Sequence, residues 1–401
     1  MARPPSRDST STMYRLDSCH IYLQRGGEQV TERSSLSVVF LVVGWPGRGE
    51  VGGGARYVYR LASELAPLVS LTIVTSAGGT PVPGAKMVFV PEWRSRLGHY
   101  YGFPFRARRI LRRLQPDIIH AFGDDWALRR SSSGIVRTFL GSSLSEARSS
   151  RGARALNHYV LAALEKYAQR RADVRIGIGP ESYDMFDAHR LMAPVSPLVA
   201  SEARLPTSAP SITFVGTWQG RKRGWLAAEA VERARRILGQ NITLTVFGPE
   251  VDRERWPEGT DYVSGASDLE LQSAVQRSWL LLAPSTYEGF GIPAFEALAL
   301  GVPVIATANP GSVWLDSVVG DSSAFLLVDD DDFAEAIVHR IRRGPWTPSE
   351  TASSVRVSAQ RIIDDASAQS LVCDVYEPLV RGAMLSEAGR TVAWTKRRDS
   401  K

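Results

Sequence analysis

The sequence predicts an α/β fold made of two doubly wound units with parallel sheets, one after the other along the chain. Strand patterns alternate with helix patterns through most of the sequence, which is typical of parallel strands joined by helical crossovers. A stretch with four prolines, 194–210, interrupts this alternation near the middle and is typical of an interdomain linker. The 401 residues, of which 44% are hydrophobic, are enough for two or three domains with separate cores.

The first unit opens with a continuous apolar run, 36–43, that predicts a strand buried on both faces of its sheet. The helix predicted next, 56–68, places its apolar residues on one face, namely Val58, Leu61, Ala62 and Leu65. Further strands are predicted over 71–75, 87–90 and 117–121, and further helices over 106–114 and 156–172.

The second unit repeats the alternation after the linker. Its predicted strands are 212–215, 242–247, 279–283 and 304–306, and its predicted helices are 225–238, 269–277, 293–300 and 332–342. A last helical stretch, 366–380, follows. We therefore expect a polar, disordered extension over 1–35, a first domain over 36–200, a second over 201–360, and a C-terminal helix with a basic tail over 361–401.

Composition and charge exclude several classes of protein. Cys19 and Cys373 lie at opposite ends of the chain and form neither a metal-ligand spacing nor a disulfide framework. No apolar run approaches the length of a membrane span, and residues 1–35 lack the apolar core of a signal peptide. We expect a cytoplasmic protein.

Its net charge of +6 permits an anionic partner, while no motif supports nucleic-acid binding.

Ligands of open parallel sheets bind beyond the carboxyl ends of the strands, so the first loop to consider follows Val43. Gly47, Gly49 and Gly52 match a dinucleotide-binding fingerprint, but the next strand lacks the acidic residue that would bind the ribose. Gly52 and Gly53 open the helix, where free amides attract anions. A tight turn without a ligand is the alternative.

Two further loops carry groups that suit an anionic or sugar ligand. His120 ends a strand and could donate to a substrate oxygen, or it could be a packed core histidine. After Gly216, the residues Arg221, Lys222 and Arg223 place three cations before a predicted helix. Cations are unfavourable at a helix start unless an anion binds there, so this loop predicts a diphosphate site, with a solvated basic loop as the alternative.

The fourth loop, 284–296, carries Glu288 and Glu296 eight residues apart. Carboxylates accept hydrogen bonds from the neighbouring hydroxyls of a ribose or hexose. Gly289 and Gly291 leave the backbone amides open to a ligand, and amides at a helix start suit phosphate. This loop therefore predicts receptors for a sugar, a ribose and a phosphate within one short segment.

These motifs resemble the retaining glycosyltransferases of family 4, which have the GT-B fold. The resemblance covers 38–342 and rests on four segments, which are 52–62, 116–120, 214–222 and 287–304. It implies two Rossmann-like domains with a cleft between them, and a nucleotide-sugar donor held mostly by the second domain. Three positions depart from the family pattern. Thr217 and Phe122 stand where an arginine and a second histidine are common, and Ser312 follows Gly311 where an acidic residue is expected. A one-residue gap leaves open whether Lys222 or Arg223 takes the place of the phosphate-binding lysine.

The resemblance also implies roles for single residues. Glu296 would hold the ribose, and Glu288 the donor hexose. Lys222 and Arg221 would neutralise the leaving diphosphate, and His120 would lie near the donor sugar. The remaining residues expected at the donor are Gly216, Arg223, Gly289, Phe290, Gly291, Ile292, Gly52 and Gly53. The family needs no metal and no cofactor beyond the nucleotide sugar, so residues 329–332 are interpreted as a solvated acidic loop.

We therefore expect a metal-independent, retaining hexosyltransferase of glycan or natural-product biosynthesis, which moves a sugar from a UDP- or GDP-sugar to a hydroxyl. The acceptor would be a glycan, a lipid-linked molecule or a small molecule. The alternatives are a nicotinamide-dependent oxidoreductase that uses Gly47, Gly49 and Gly52, and a non-catalytic nucleotide-sugar binding protein. Five arginines within 106–113 suit a membrane-facing or acceptor-phosphate surface at the inner face of a membrane, or an ordinary solvated helix face.

Overall fold

The computed structural model describes nine stretches of the chain, which are 36–46, 53–76, 79–91, 101–129, 132–149, 152–194, 206–320, 323–346 and 362–382. In these stretches two parallel sheets lie one after the other along the chain, as the alternating patterns predict. We call residues 36–194, with the C-terminal segment 368–382, the first lobe, and residues 206–346 the second lobe. Ala366, just before that segment, lies in the core of the second lobe.

The first sheet has the strand order β3-β2-β1-β4-β5-β6-β7, and every neighbouring pair is parallel. Its strands are β1 (Ser37–Leu41), β2 (Ser70–Ser76), β3 (Lys86–Val90), β4 (Ile118–Ala121), β5 (Gly134–Phe139), β6 (Val174–Gly177) and β7 (Arg190–Leu191). From β1 to β3 each new strand is added on one side of β1, and from β4 onward the strands are added on its other side. The carboxyl ends of β1 and β4 therefore meet at the point where such sheets bind ligands.

The helices of the first lobe cover both faces of this sheet. They are α1 (Gly53–Leu65), α2 (Phe103–Leu114), α3 (Ser143–Ser149), α4 (Gly152–Gln169) and α5 (Pro180–Met185). The predicted apolar face of α1 is buried, since Val58, Leu61, Ala62 and Leu65 all lie in the core. Tyr167 of α4 is half exposed.

The second sheet has the order β10-β9-β8-β11-β12-β13 and is also parallel throughout. Its strands are β8 (Ser211–Val215), β9 (Thr243–Phe247), β10 (Asp261–Val263), β11 (Leu280–Ala283), β12 (Val304–Ala306) and β13 (Phe325–Leu327). Its helices are α6 (Gly224–Leu238), α7 (Asp268–Arg277), α8 (Ile292–Ala299), α9 (Pro310–Val319) and α10 (Phe333–Arg342). Because β8 and β11 are neighbours, the two loops that follow them lie side by side.

The C-terminal segment returns to the first lobe. It comprises α11 (Ala368–Leu371), a π-helical turn (Val372–Tyr376) and α12 (Glu377–Val380). Leu371 and Tyr376 are completely buried in the core cluster that α1 and β1 form. Arg190 of β7 fixes the segment from the sheet side by donating to Asp374 at 3.2 Å. The sequence predicts this helix but gives no sign that it packs against the first sheet.

None of the helices in the described ranges is long and apolar enough to cross a membrane.

Candidate functional site

Glu288 forms an ion pair with Lys222 where β8 and β11 end. Lys222 closes a 3-10 turn (Gly220–Lys222) in the loop after β8, and Glu288 lies in the loop after β11. The Lys222 Nζ atom lies 2.6 Å from Glu288 Oε1, and Arg221 Nη1 lies 2.7 Å from Glu288 Oε2. The structure thus brings together three of the residues predicted for the site from two separate loops.

Burial and neighbouring charges set the protonation of this ion pair. Burial acts to raise the pKa of Glu288, but the charges of Lys222 and Arg221 outweigh it and hold that pKa below its usual value. Burial lowers the pKa of Lys222, and Arg221 adds to this effect while Glu288 opposes it. Glu288 is therefore ionised at neutral pH and carries a negative charge between two cations.

Gly216 leaves the space that the Lys222 side chain occupies. A Cβ atom at position 216 would lie 2.9 Å from the Cβ of Lys222, and the backbone φ of 157° is one that side chains rarely adopt. Any other residue at this position would displace Lys222 from Glu288. Gly216 thus contributes to the site by leaving room for the Lys222 side chain, although it has no polar side chain of its own.

The loop after Glu288 leads directly into α8. Gly291 is the N-cap of this helix with a left-handed backbone, and Ile292 is its first residue. The ring of Phe290 is buried, and its centroid lies 5.3 Å from that of the Phe295 ring in α8. This contact holds the loop against the helix. The backbone amides of Gly289, Phe290 and Gly291 have no hydrogen-bond acceptor among the described residues. A helix start with open amides binds anions such as phosphate.

Glu296 lies in the first turns of α8 and is almost completely buried. Its Oε1 atom has no hydrogen-bond partner among the described residues, and the nearest cation is Arg60 Nη1 of α1, at 3.8 Å. Burial raises the pKa of Glu296 to about 7, an effect that Arg60 opposes and Asp268 reinforces. The carboxyl group can therefore both accept and donate hydrogen bonds near neutral pH.

Val215 and Pro293 connect Glu296 to the ion pair. Both residues line the recess that contains Lys222 and Glu288, and both line the small recess that contains Glu296. The two predicted carboxylates thus lie in adjacent recesses along the start of α8, as expected for groups that contact different parts of one ligand.

The guanidinium group of Arg223 is engaged in contacts within the second lobe. Its Nε donates to the carbonyl of Pro284 at 2.6 Å, its Nη1 lies 2.5 Å from Asp330, and its Nη2 contacts Thr307. Asp330 belongs to the acidic loop 329–332, which thus supplies an ion pair. This placement favours a structural role for Arg223, in contrast to the predicted contact with a donor.

His120 is completely buried in β4. Its Nε2 lies 2.7 Å from Thr138 Oγ1, its Nδ1 lies 2.6 Å from the Tyr376 hydroxyl, and its ring stacks on Phe122. Burial lowers the pKa of His120 to about 3, so the ring is neutral. The placement favours the packed core histidine over the predicted substrate contact, because the C-terminal segment covers the ring.

The glycines of the first loop are only partly described. Gly47, Gly49 and Gly52 lie outside the described residues. Gly53 is the first residue of α1. The same helix carries Arg60, which contacts Asp268 of the second lobe at 2.6 Å.

A cleft of about 720 Å³ separates the lobes beside these loops. The second lobe lines it with Arg221, Thr286, Tyr287 and Gly289. The first lobe contributes residues that follow β4 and β5 and residues from α3 and α4. The lobes contact each other beside the cleft, where the Tyr287 hydroxyl donates to Glu181 and the Gly289 carbonyl lies against Gly179.

A buried charge cluster in the wall of the cleft was not anticipated. Arg137, in the middle of β5, pairs with Asp125 and lies 3.7 Å from Glu165, while its Nε has no partner among the described residues. Burial raises the pKa of Asp124 to about 6, although Arg137 opposes it. The signal in the sequence is an arginine within the mainly apolar segment Gly134–Phe139.

No group of three or more histidine, cysteine or carboxylate side chains in the described chain could hold a metal ion. The candidate site consists of the cations, the carboxylates and the open amides of the second lobe, which face the cleft wall of the first. This set of groups suits a ligand that combines hydroxyls with a diphosphate.

Two protein families match the chain, one in each lobe. The family described as "Glycosyltransferase Family 4" matches residues 51–195, and the one described as "Glycosyl transferases group 1" matches residues 209–343. A curated relative, the phosphatidyl-myo-inositol mannosyltransferase of Propionibacterium freudenreichii subsp. shermanii, is 29% identical over 148 residues, or 34% of this chain and 38% of that protein. The chain spans less than half the length of the curated relatives that it matches.

Solved structures match over more of the chain. The sucrose-phosphate synthase of Thermosynechococcus elongatus superposes with a TM-score of 0.65 at 19% identity, over 87% of this chain and 100% of that one. The Anabaena protein HepE, solved in complex with UDP and glucose, gives a TM-score of 0.59 at 13% identity, over 86% of this chain and 100% of that one. These similarities show a shared two-domain α/β fold.

Proposed function

Because the chain belongs to the family 4 glycosyltransferases and has the GT-B fold, we propose that it transfers a sugar from a nucleotide sugar to an acceptor hydroxyl. The proposed reaction retains the configuration at the anomeric carbon, and the donor is a UDP- or GDP-hexose. The observation that carries the proposal is the convergence of Lys222, Arg221 and Glu288 beside the open start of α8.

The two cations suit the charge that the reaction develops. Breaking the bond between the anomeric carbon and the phosphate oxygen leaves negative charge on the diphosphate. Lys222 and Arg221, with the amides of Gly289 to Gly291, would stabilise that charge at the helix start. The acceptor oxygen bonds to the anomeric carbon on the same face, and its proton passes to the departing phosphate. In this scheme no side chain acts as a nucleophile.

The two carboxylates would hold the two sugar rings of the donor. Glu288 is ionised and fixed by two cations, so it can accept hydrogen bonds from hexose hydroxyls. Glu296 lies in the neighbouring recess with a free Oε1 atom, which supports its assignment to the ribose. Ribose hydroxyls would satisfy that buried oxygen.

The cleft between the lobes would receive the acceptor. Its wall on the first lobe carries Asp124, Asp125, Arg137 and Glu165, which offer both donors and acceptors of hydrogen bonds. Its opposite wall carries Arg221 and the loop after β11. An acceptor hydroxyl in this cleft would thus face the proposed donor across the gap between the lobes.

The first test is a thermal-shift panel with UDP, GDP, ADP, their common hexose conjugates and NADH. We expect selective stabilisation by one nucleoside diphosphate and its sugar, since binding to the folded state raises the unfolding temperature. Stabilisation by NADH alone would instead favour an oxidoreductase and would overturn the proposal. Stabilisation by the nucleotide sugar without any turnover would favour a binding protein.

We predict that Lys222→Met lowers the rate of transfer by about two to three orders of magnitude, because it removes a cation from the developing diphosphate charge. The measurement is the steady-state release of nucleoside diphosphate. Arg236→Met is the matched control, since Arg236 is exposed on α6 of the same lobe. Equal loss of activity in both variants would contradict the assignment of Lys222.

A further inference from the structure

Three arginines converge on a groove of about 590 Å³ on the surface of the first lobe. Arg108 comes from α2, Arg129 from the loop after β4, and Arg171 from the chain just beyond α4. Arg171 is held in place by Tyr167, to whose hydroxyl its Nη1 donates at 3.0 Å. Three separate segments of the chain thus each place a guanidinium group at the same groove on the surface.

The three guanidinium groups have no acidic partner among the residues that the structure describes. In the part of the chain that the structure describes, none of Arg108, Arg129 and Arg171 forms an ion pair. Desolvation, together with the charges of Arg129, Arg112 and Arg171, lowers the pKa of Arg108. Mutual repulsion of this kind is unfavourable for folding, and a bound anion would relieve it.

The groove adjoins the cleft between the lobes. Trp126 and Leu164 line both spaces, so a ligand could occupy the groove and the cleft at once. The cleft holds the proposed acceptor site, while Lys222 lies on its other side in the second lobe. An anion in the groove would therefore belong to the acceptor, which is distinct from the diphosphate of the donor.

We propose that the groove of Arg108, Arg129 and Arg171 binds a phosphate group of the acceptor. Arginine forms paired, charge-assisted hydrogen bonds with phosphate oxygens, and a phosphate monoester carries close to two negative charges at neutral pH. The groove has the matching excess of positive charge. The assignment of the phosphate to the acceptor rests on the proposed function, whereas binding of phosphate by the groove does not.

The phosphate could come from a soluble phosphomonoester or from a lipid headgroup. Phe105 and Tyr167 are each about half exposed beside the groove, and the Phe105 ring packs 5.1 Å from Trp126. Aromatic side chains next to cations are common at the surfaces that proteins present to lipids. The test therefore includes both sources.

The experiment measures binding of glycerol 3-phosphate by calorimetry and of vesicles by sedimentation, with pure phosphatidylcholine or with added phosphatidylglycerol. The wild type is compared with the double variant Arg129→Gln/Arg171→Gln, for which we expect about tenfold weaker binding of the preferred probe. The matched control is Arg236→Gln/Arg342→Gln, which loses the same charge from exposed positions in the second lobe. The control should bind as tightly as the wild type.

Binding of glycerol 3-phosphate would identify a soluble acceptor phosphate, and binding that requires phosphatidylglycerol would identify a lipid headgroup. Absence of binding to every probe, or equal weakening in both double variants, would overturn the proposal. If the double variant does not fold, Arg129→Glu alone, at an exposed position, carries the same expectation. The nucleotide panel tests the donor site separately, so a wild-type protein that binds the nucleotide but none of the phosphate probes would refute only this inference.

Discussion

Glu296 shows how burial changes the chemistry of a single carboxyl group. Its pKa of about 7 in the folded protein exceeds the ordinary value of 4.5, because burial disfavours the charged form. The folded state therefore binds this proton more tightly than the unfolded state. This contribution to stability is fully present below about pH 4.5 and is lost as the pH rises through about 7.

We predict that Glu296→Gln reduces the loss of stability between pH 5 and pH 8 by about 2.5 kcal/mol, since one pKa unit corresponds to about 1.36 kcal/mol. The measurement is the free energy of unfolding in urea at both pH values. The exposed residue Glu254 provides the control Glu254→Gln, which should follow the wild type. Parallel behaviour of Glu296→Gln and the wild type would contradict the assigned pKa.

We predict that His120→Leu lowers the free energy of unfolding and leaves the rate of transfer within about twofold. The substitution removes the partner of the Thr138 and Tyr376 hydroxyls, and each unpaired buried hydroxyl costs about 1–3 kcal/mol. Urea unfolding and steady-state kinetics on the same preparation separate the two effects. A large loss of turnover with unchanged stability would mean that His120 contacts the substrate.

The local sequence was sufficient to predict the placement of some site residues and insufficient for others. Glu288 and Lys222 could be identified because their loops follow neighbouring strands, and parallel strands bring such loops together. Arg223 and His120 occupy the same kinds of loop and strand end, but their side chains turn into the protein. The direction of a side chain depends on what covers that face, and no local pattern contains this information.

At the scale of elements, most strands of four or more residues were predicted, whereas β5, β6, β7, β10 and β13 were missed. The runs at β1, β4 and β11 predicted strands within one or two residues of their observed ends. The strand β5 was missed because Arg137 and Thr138 interrupt its apolar pattern. Both side chains are buried through partners from other elements, so tertiary contacts decide their placement.

The C-terminal segment is an element of the second half of the sequence that stabilises the first lobe. We predict that Leu371→Ala lowers the free energy of unfolding of the first lobe by about 2–5 kcal/mol, because it leaves a cavity in that core. Hydrogen exchange of the β1 and α1 amides, compared with those of β8 and α6, measures the effect in each lobe. Val380→Ala, at an exposed position of the same segment, is the control.

Loss of protection confined to β8 and α6 would contradict this packing.

The helix itself could be predicted from its apolar periodicity over 366–380, whereas its location could not. An amphipathic helix indicates only that it needs an apolar surface, and the sheets of both lobes offer one.

At the scale of the whole molecule, the two lobes meet through backbone as well as side chains. A Cβ atom at Gly179 would lie 2.0 Å from the carbonyl oxygen of Gly289, so only glycine allows this approach. The same region holds the contact of Tyr287 with Glu181. The width of the cleft therefore depends on the residue at position 179.

We predict that Gly179→Ala widens the cleft and lowers the rate of transfer by up to about a hundredfold, since a misplacement of about 1 Å can have that effect. Small-angle scattering and steady-state kinetics measure the two changes. Gly44→Ala, where a Cβ would meet no atom within 4 Å, controls for the substitution itself. Wild-type turnover in Gly179→Ala would show that the observed approach of the lobes is not needed for the reaction.

The packing of Leu371 and Tyr376 into the first lobe also has a consequence for synthesis. A ribosome makes the chain from its N-terminus, so every strand of both sheets leaves the ribosome before these residues do. The second lobe can fold while the first still lacks part of its core and exposes apolar side chains of α1 and β1. The domain that is made first is thus the last to be completed, and the nascent chain needs protection from aggregation during that interval.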